Sequence, residues 1–141
     1  AASAGNILVT RLMVRGAPAI VKDGGFRDSA DIAKLNFHAY QSSASAPTNL
    51  TKHHAVDLNV PIGCGGVAVY PGDIVVGDGD GVIVIPQELC NEVAFEAYEM
   101  TIFENFVEER VKNNHPIFGL YPPTDPNTKL EFDKWLKSRE V

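Results

Sequence analysis

A series of short apolar runs between residues 56 and 86 constrains the fold of this chain more than any other feature. The runs read VDLNVPI, GVAVY, DIVVGD and GVIVIP, and their β-branched residues favour strands. Gly-Cys-Gly-Gly, Pro-Gly-Asp and Asp-Gly-Asp-Gly separate them, and such sequences are typical of tight turns. The pattern predicts a compact β-meander, in which consecutive strands pair with one another.

The chain before residue 56 is predicted to alternate between helices and strands. Apolar residues at helical spacing predict a first helix that stops at Gly16. Ser29 is predicted to cap a second helix. In chain order the predicted elements are a helix over residues 5–15, a strand at Ala19–Val21, a helix over residues 29–35, a strand over residues 37–41 and a polar surface loop over residues 41–53.

After Pro86 the pattern changes to that of one long helix over residues 87–113. Glu104 falls on its apolar stripe, and a charged side chain is seldom buried without a partner. Glu104 therefore reaches a cation, faces the site of another subunit, or lies where the stripe opens to solvent. The stripe consists of residues that recur at intervals of three and four, namely Leu89, Val93, Ala97, Met100, Val107 and Val111.

A length of 141 residues allows one domain with a real core and is short for two. We therefore predict a single domain over residues 1–141, in which residues 114–141 form an extended tail and a short helix. Leu130, Phe132 and Trp135 of that helix can dock on the body or on a neighbour.

Charge and cysteine content exclude several classes of function. The formal net charge is −6 and Lys and Arg do not cluster, which argues against a nucleic-acid partner. Cys64 and Cys90 lack the spacing of a metal knuckle, so a reduced, intracellular setting is expected. No apolar run is long enough to span a bilayer, and we expect a cytoplasmic protein with no membrane partner.

The segment DGGFRDSADI, residues 23–32, carries the best candidates for chemistry. Arg27 and Asp28 are adjacent in it, and such a pair in a turn usually forms a surface ion pair. His53 and His54 lie in the polar loop, His38 and His115 stand alone, and no spacing suggests a Ser/His/Asp or Cys/His arrangement. Gly24 and Gly25 are expected to let the backbone turn tightly and approach a ligand without a Cβ in the way.

Three segments in combination resemble the RraA-like family, which includes the 4-hydroxy-4-methyl-2-oxoglutarate aldolases. They are GNILVTRLMVRG at residues 5–16, DGGFRD at residues 23–28 and LNVPIGCGGVAVYPGDIVVGDGDGVIVIP at residues 58–86. The resemblance implies an α/β fold, an α/β/β sandwich of the swivelling phosphohistidine-domain-like type. It also implies a homotrimer or hexamer with sites between subunits, and family sequence ahead of Ala1, so that this chain is the larger, C-terminal part of the domain.

The resemblance also implies roles for individual residues. Asp28 would hold Mg²⁺ or Mn²⁺, directly or through its waters, and Arg27 would contact the keto oxygen of the substrate. Glu104 is the best match for an acidic residue that the adjacent subunit donates. The substrate carboxylate would bind backbone N–H groups at a helix N-terminus, those of Gly5, Asn6, Ile7 and Leu8.

At one position the chain departs from the pattern of the aldolases, which is an acidic residue, twenty intervening positions and then Arg-Asp. Counting back from Arg27 across twenty positions reaches Asn6, an amide in place of the acid. Because this removes one negative charge, we expect weaker metal binding or a shifted substrate class, with the chemistry retained.

The function that the resemblance implies is a class II-type, metal-dependent lyase for a pyruvate-type 2-oxo acid. The reaction would be retro-aldol cleavage or the decarboxylation of oxaloacetate, through the same pyruvate enolate. One alternative is a non-catalytic regulator that binds a ribonuclease; the presence of Asp28 favours an enzyme, and Asn6 weakens that preference. Another is a lyase or dehydratase for sugar-derived acids, since the Gly-Leu-Tyr-Pro-Pro segment at residues 119–123 marks a subgroup without identifying its substrate.

Overall fold

A computed structural model describes residues 1–48, 50 and 52–139, and its fold is mixed α/β as predicted. The chain divides into two compact units, Ala1–Gln87 and Glu88–Val141. The elements of the first unit are β1 Ala2–Ala4, α1 Asn6–Val14, β2 Ala19–Val21, β3 Gly25–Phe26, α2 Ser29–Ile32, β4 His38–Tyr40, β5 Ser43–Ala44, β6 Ile62–Cys64, β7 Val67–Val69, β8 Ile74–Gly77 and β9 Val82–Ile85.

The N-terminal strands of the first unit pair in parallel. One sheet has the order β1-β3-β5, and a second sheet pairs β2 with β4. The predicted strands β2 and β4 are thereby confirmed. The strands β1, β3 and β5 were not predicted, and β5 lies within the segment predicted to be a polar loop, of which residues 49 and 51 lie outside the described residues.

The predicted β-meander is wrong, because the described residues form two separate hairpins, β6 with β7 and β8 with β9. Residues 56–61 contain no strand. Between the hairpins the N–H group of Tyr70 donates to Asp73 Oδ2 at 2.7 Å, so this backbone donor is not used in a strand ladder. The predicted turns are confirmed: Gly65 and Gly66 have φ angles of 62° and 82°, as a two-residue hairpin turn requires.

The first predicted helix is confirmed as α1, and Gly16 follows it with a φ of 84°. The prediction for α2 is wrong in two respects. Asp28, and not Ser29, occupies the N-cap position, and the helix ends at Ile32. Ser29 is instead the first residue within the helix, and its hydroxyl donates backwards to the Phe26 carbonyl at 3.2 Å.

The core of the first unit forms between its parallel strands and its two helices. Its buried members are Ala4, Val9, Phe26 and Ile32. A Cβ on Gly25 would lie 2.7 Å from the Ser43 carbonyl oxygen. Gly25 therefore makes room for the neighbouring strand β5, and the prediction that it opens space for a ligand is wrong.

The second unit contains two helices, α3 at Cys90–Lys112 and α4 at Pro126–Lys137. The long predicted helix is confirmed as α3, which follows a 3₁₀ turn at Gln87–Leu89. The predicted helix in the tail is confirmed as α4. Asp125 begins α4 by accepting a hydrogen bond from the Asn127 N–H group at 2.9 Å.

Aromatic residues form the core of the second unit. Phe106, Val107 and Leu120 are buried, and Phe103, Phe132 and Trp135 pack against them. Phe132 and Trp135 of α4 thus dock on α3 as the sequence allowed, whereas Leu130 is exposed. The predicted stripe on α3 is buried at Val107 only; Leu89, Met100 and Val111 are all exposed.

Among the described residues, none of the helices combines the length and the apolar character needed to cross a membrane.

Candidate functional site

The candidate site lies at one edge of the β1-β3-β5 sheet. Because β1 and β3 are parallel, the segments that follow them leave the sheet at the same edge. Gly5 and Asn6 follow β1, and Arg27 and Asp28 follow β3. The carboxyl ends of parallel strands are the usual place for ligands in open α/β sheets, so the pairing brings the predicted candidates to a suitable position.

A hydrogen bond joins the two segments at this edge. The N–H group of Asn6 donates to Asp28 Oδ2 at 3.2 Å, across 22 positions of sequence. The N–H group of Arg27 donates to the Ala4 carbonyl at 3.2 Å. The Asp28 carboxylate therefore lies at the N-terminus of α1, where the unpaired N–H groups and the helix dipole favour negative charge.

Gly5 allows the two segments to approach this closely. A Cβ at this position would lie 2.8 Å from Arg27 Nε and 2.8 Å from Asp28 Oδ2. Such distances essentially never occur for real Cβ atoms. Of the glycines near the site, Gly5 has the space-making role that the sequence suggested for Gly24 and Gly25.

Asp28 has an unusual backbone conformation, with φ at 58° and ψ at 32°. This left-handed region is uncommon for residues other than glycine, although aspartate and asparagine tolerate it best. The N–H groups of Asp31 and Ile32 both donate to the Asp28 carbonyl at 3.0 Å. The first turn of α2 thus holds Asp28 in this conformation, which turns its side chain back towards α1.

Arg27 and Asp28 form only a loose ion pair. Arg27 Nε lies 3.9 Å from Asp28 Oδ2, and the two side chains are 49% and 48% exposed. An ion pair with this exposure contributes little to stability. Both side chains are therefore accessible to a ligand.

The side chain of Asn6 faces its own helix. Its Oδ1 accepts a hydrogen bond from the Thr10 hydroxyl at 3.3 Å. The contact between position 6 and Asp28 is therefore made by the backbone N–H group, which any residue but proline can supply. Because residue 6 is an amide, Asp28 supplies the carboxylate where these two residues meet.

Ile7 and Leu8 form the first turn of α1 with Asn6. The first N–H groups of a helix lack partners within that helix, as the resemblance requires for a carboxylate site. The Ile7 side chain is 87% exposed and that of Leu8 is 48% exposed. The first turn of α1 is therefore exposed to solvent on this side of the site.

Glu104 belongs to the second unit, on α3. Its Oε1 accepts a hydrogen bond from the Tyr121 hydroxyl at 2.8 Å. This bond and the negative charge of Glu104 raise the pKa of Tyr121 above its ordinary value. Sequence reasoning did not connect these residues, since nothing in their spacing of 17 positions indicates contact.

The ligands available for a metal are few. Within the described part of the chain, no three His, Cys, Asp or Glu side chains come together as a metal cage. Magnesium commonly binds through one or two protein carboxylates and keeps several waters. The half-exposed Asp28 carboxylate fits that manner of binding, and would fit a fully protein-enclosed ion poorly.

Lys22, between β2 and β3, is a cation that the sequence did not single out. Its Nζ donates to the Ser3 hydroxyl at 2.5 Å and lies 4.3 Å from the centre of the Phe26 ring. Burial lowers the pKa of Lys22, because removal from water disfavours the charged form. No sequence signal could have identified it, since its neighbours come from strands that the sequence did not reveal.

Comparison with known proteins identifies the family of the chain. The model of the RraA-like family, described as Aldolase/RraA, matches residues 1–84. A relative from Halalkalibacterium halodurans with the provisional name 4-hydroxy-4-methyl-2-oxoglutarate aldolase is 33% identical over 113 residues, which make up 80% of this chain and 53% of the relative. The chain spans about half the length of the curated relatives that it matches.

Two solved structures resemble the fold. An uncharacterized protein from Pseudomonas syringae pv. tomato has a TM-score of 0.75 at 21% identity, over 85% of this chain and 60% of that one, and shows the fold alone. Streptomyces coelicolor RraAS2, described as an unusual member of the RNase ES inhibitor RraA protein family, has a TM-score of 0.61 at 28% identity, over 74% of this chain and 54% of its own.

Proposed function

Because the chain belongs to the RraA-like family, we propose that the full-length protein is a divalent-metal-dependent lyase acting on a pyruvate-type 2-oxo acid. Relatives with the provisional name of an aldolase support the lyase class. The observation that carries the proposal is the cluster at the sheet edge. There the Asp28 carboxylate accepts the Asn6 N–H group at 3.2 Å, and Gly5 leaves room for Arg27 beside it.

The substrate is expected to bind with its carboxylate at the N-terminus of α1. The backbone N–H groups of Ile7 and Leu8 have no partners within the helix and point towards that end, where the helix dipole also favours an anion. The Arg27 guanidinium is then the donor for the keto oxygen. It is half exposed and only loosely paired, so it can reach a ligand without breaking a strong contact.

Retro-aldol cleavage breaks the C3–C4 bond of the bound 2-oxo acid. The C4 hydroxyl gives its proton to a water molecule, C4 becomes a carbonyl group, and the electron pair of the broken bond forms the enolate of pyruvate. Protonation of the enolate at C3 by water then releases pyruvate. Arg27 stabilises the negative charge on the enolate oxygen, and one preorganised donor of this kind contributes roughly 3–4 kcal/mol. Decarboxylation of oxaloacetate would use the same groups, with carbon dioxide as the other product.

Asp28 is the residue proposed to hold the metal. When bound there, Mg²⁺ or Mn²⁺ would supply Lewis-acid stabilisation of the charge that develops on the enolate. The left-handed backbone at Asp28 and the hydrogen bond from Asn6 fix the direction of its carboxylate. Asn6 adds no charge to the site, which is expected to weaken metal binding.

We further propose that the site is completed by Glu104 of an adjacent subunit in a homotrimer or hexamer. The Glu104 side chain is exposed in this chain. Large apolar side chains on the same helix are exposed as well, among them Phe95 at 66% and Met100 at 58%. Large apolar side chains exposed on one helix suit a protein interface, which supports an assembly through α3.

A ribonuclease regulator that acts by protein binding is the second candidate. The similarity to Streptomyces coelicolor RraAS2, which is described as a member of an RNase inhibitor family, favours it. The exposed apolar residues of α3 fit a protein partner equally well. The enzyme remains the leading proposal because a regulator has no need for the strained Asp28 or for the crowding of Arg27 against Gly5.

The test is the release of pyruvate by the full-length protein. It is incubated with Mg²⁺ or Mn²⁺ and with 4-hydroxy-4-methyl-2-oxoglutarate, oxaloacetate or a wider panel of 2-oxo acids that includes sugar-derived ones. Asp28→Asn is the informative variant, because asparagine tolerates the left-handed backbone and can still accept the Asn6 N–H group. Since several kcal/mol of charge stabilisation are lost, its rate is expected to fall by about 100-fold or more.

Asp31→Asn is the matched control. Asp31 lies three residues further on in α2, where it pairs with Lys34 at 2.9 Å on the surface, and its loss is expected to leave the rate unchanged. The lyase proposal is rejected if no substrate gives metal-dependent, chelator-sensitive pyruvate. Binding of a ribonuclease by such an inactive protein, measured by calorimetry, would then support the regulator.

A further inference from the structure

The Gly-Leu-Tyr-Pro-Pro segment at residues 119–123 contacts the proposed catalytic residue Glu104. The Tyr121 hydroxyl donates to Glu104 Oε1 at 2.8 Å. A hydrogen bond to an ionised acceptor is roughly twice as strong as one between neutral groups. This contact gives the segment a role that its sequence does not reveal.

Several contacts hold Tyr121 in this position. Its ring stacks on Phe103, with centroids 6.5 Å apart and planes at 27°. The preceding residue, Leu120, is 1% exposed in the aromatic core. On the other side, the Thr128 hydroxyl of α4 donates to the Gly119 carbonyl at 3.0 Å. Tyr121 is therefore anchored by both helices of the unit.

Gly119 is needed for the turn that carries this segment. Its φ is 83°, and a Cβ there would lie 3.1 Å from Asp125 Cβ. Its carbonyl also accepts hydrogen bonds from the N–H groups of Thr124 and Asp125. The turn is fixed by the same residues that begin α4, which makes Tyr121 a rigid donor.

Both partners nevertheless remain accessible. Tyr121 is 43% exposed, and Glu104 is exposed as well. The hydrogen bond occupies Oε1 of Glu104, so Oε2 can face a ligand. A glutamate side chain loses considerable rotamer freedom when it is fixed, and a rigid neighbour that selects one rotamer in advance lowers that loss at the moment of reaction.

We infer that Tyr121 is a positioning residue, which holds the Glu104 carboxylate in the orientation needed at the site of the neighbouring subunit. The inference rests on the proposed function, in which Glu104 takes part in the lyase reaction. Tyr121 itself touches neither substrate nor metal in this role. It acts on the rate through Glu104 alone.

Tyr121→Phe is the variant that tests the inference in the full-length protein. It removes only the hydroxyl and keeps the ring on Phe103. The residues that orient a catalytic or metal-binding group typically contribute 10- to 100-fold, so kcat is expected to fall by about that factor while KM stays unchanged. Tyr70→Phe is the matched control, since Tyr70 is similarly exposed at 57%, and wild-type kinetics are expected for it.

A double-mutant cycle distinguishes positioning from a general structural effect. If Tyr121 acts through Glu104, then Tyr121→Phe has no further effect on the residual rate of Glu104→Ala. A separate readout is the pH titration of Tyr121, which is followed as the difference in tyrosinate absorbance between the wild type and Tyr121→Phe. The pKa of Tyr121 is raised by Glu104, so Glu104→Ala is expected to move this titration to lower pH.

Each outcome bears on the inference in a different way. An active protein in which Tyr121→Phe retains wild-type kcat, or in which Glu104→Ala does, overturns the inference and leaves the lyase standing. A further loss on adding Tyr121→Phe to Glu104→Ala also overturns it, as does a Tyr121 titration that Glu104→Ala does not shift. A wild-type protein without metal-dependent pyruvate release overturns the proposed function, and this inference with it.

Discussion

Replacing Gly5 with alanine is expected to lower activity far more than it lowers the free energy of unfolding. The added Cβ would lie 2.8 Å from Arg27 Nε and 2.8 Å from Asp28 Oδ2. Ordinary van der Waals contact begins at 3.4 Å, so both groups have to retreat by 3.4 − 2.8, about 0.6 Å. The substitution therefore moves the two proposed functional side chains and little else.

The cost in stability is expected to be small. Both crowded groups belong to side chains that are about half exposed, so they can move into solvent. The backbone of Gly5 is extended, with a φ of −124°, which alanine adopts without strain. A weakened Asn6–Asp28 hydrogen bond costs about 0.5–1.5 kcal/mol, and the lower entropy of the unfolded chain offsets about 0.4–1 kcal/mol of it.

The effect on activity is expected to be large, because misplacing a reacting group by about 1 Å can lower a rate by about 100-fold. For a displacement of about 0.6 Å we expect a 10- to 100-fold loss of kcat/KM in the pyruvate-release assay. Urea unfolding followed by circular dichroism supplies the stability for comparison. Gly63→Ala is the control, since a Cβ there meets nothing within 4 Å, and its activity is expected to be unchanged.

Two results would refute this reasoning. Wild-type kcat/KM in Gly5→Ala would mean that Arg27 and Asp28 need not occupy their present positions. The sheet edge would then be rejected as the active site. A loss of stability large enough to account for the loss of activity would mean that the contact with Gly5 serves folding.

Two further substitutions test the packing of each unit by urea denaturation. Gly25→Ala would place a Cβ 2.7 Å from the Ser43 carbonyl oxygen, a backbone atom that cannot retreat. It should lower the free energy of unfolding by about 1–3 kcal/mol. Gly24→Ala is the control and should have little effect, because the nearest atom to its added Cβ would be 3.4 Å away. Phe106→Ala should cost about 3–5 kcal/mol in the second unit, read from the fluorescence of the single tryptophan, whereas Phe118→Ala, at a side chain 92% exposed, should cost almost nothing.

The elements that sequence reasoning predicted correctly are those with a local physical cause. The helix α1 has apolar residues at helical spacing and a glycine stop at Gly16, whose φ is 84°. The turn at Gly65 and Gly66 needs positive φ angles, which glycine adopts without cost. Steric preferences of this kind act between neighbours in the chain, so they can be recognised without knowledge of the fold.

The strands that were missed contain no β-branched residue. β1, β3 and β5 read ASA, GF and SA, and they are strands because they pair with one another. Gly25 was misinterpreted for the same reason. Its lack of a Cβ matters because Ser43 lies opposite it, and that neighbour is known only once the pairing is known.

The same distinction between local and tertiary causes applies to the charged residues of the site. The sequence alone was sufficient to single out Arg27, Asp28 and Glu104 as candidates and to place a helix N-terminus at Gly5. Only the tertiary structure decided their neighbours, because parallel strand pairing and helix packing join residues that are far apart in sequence. It put the Asn6 N–H group rather than the Asn6 side chain against Asp28. Such contacts depend on the free energy of a whole packed unit, and no local pattern encodes them.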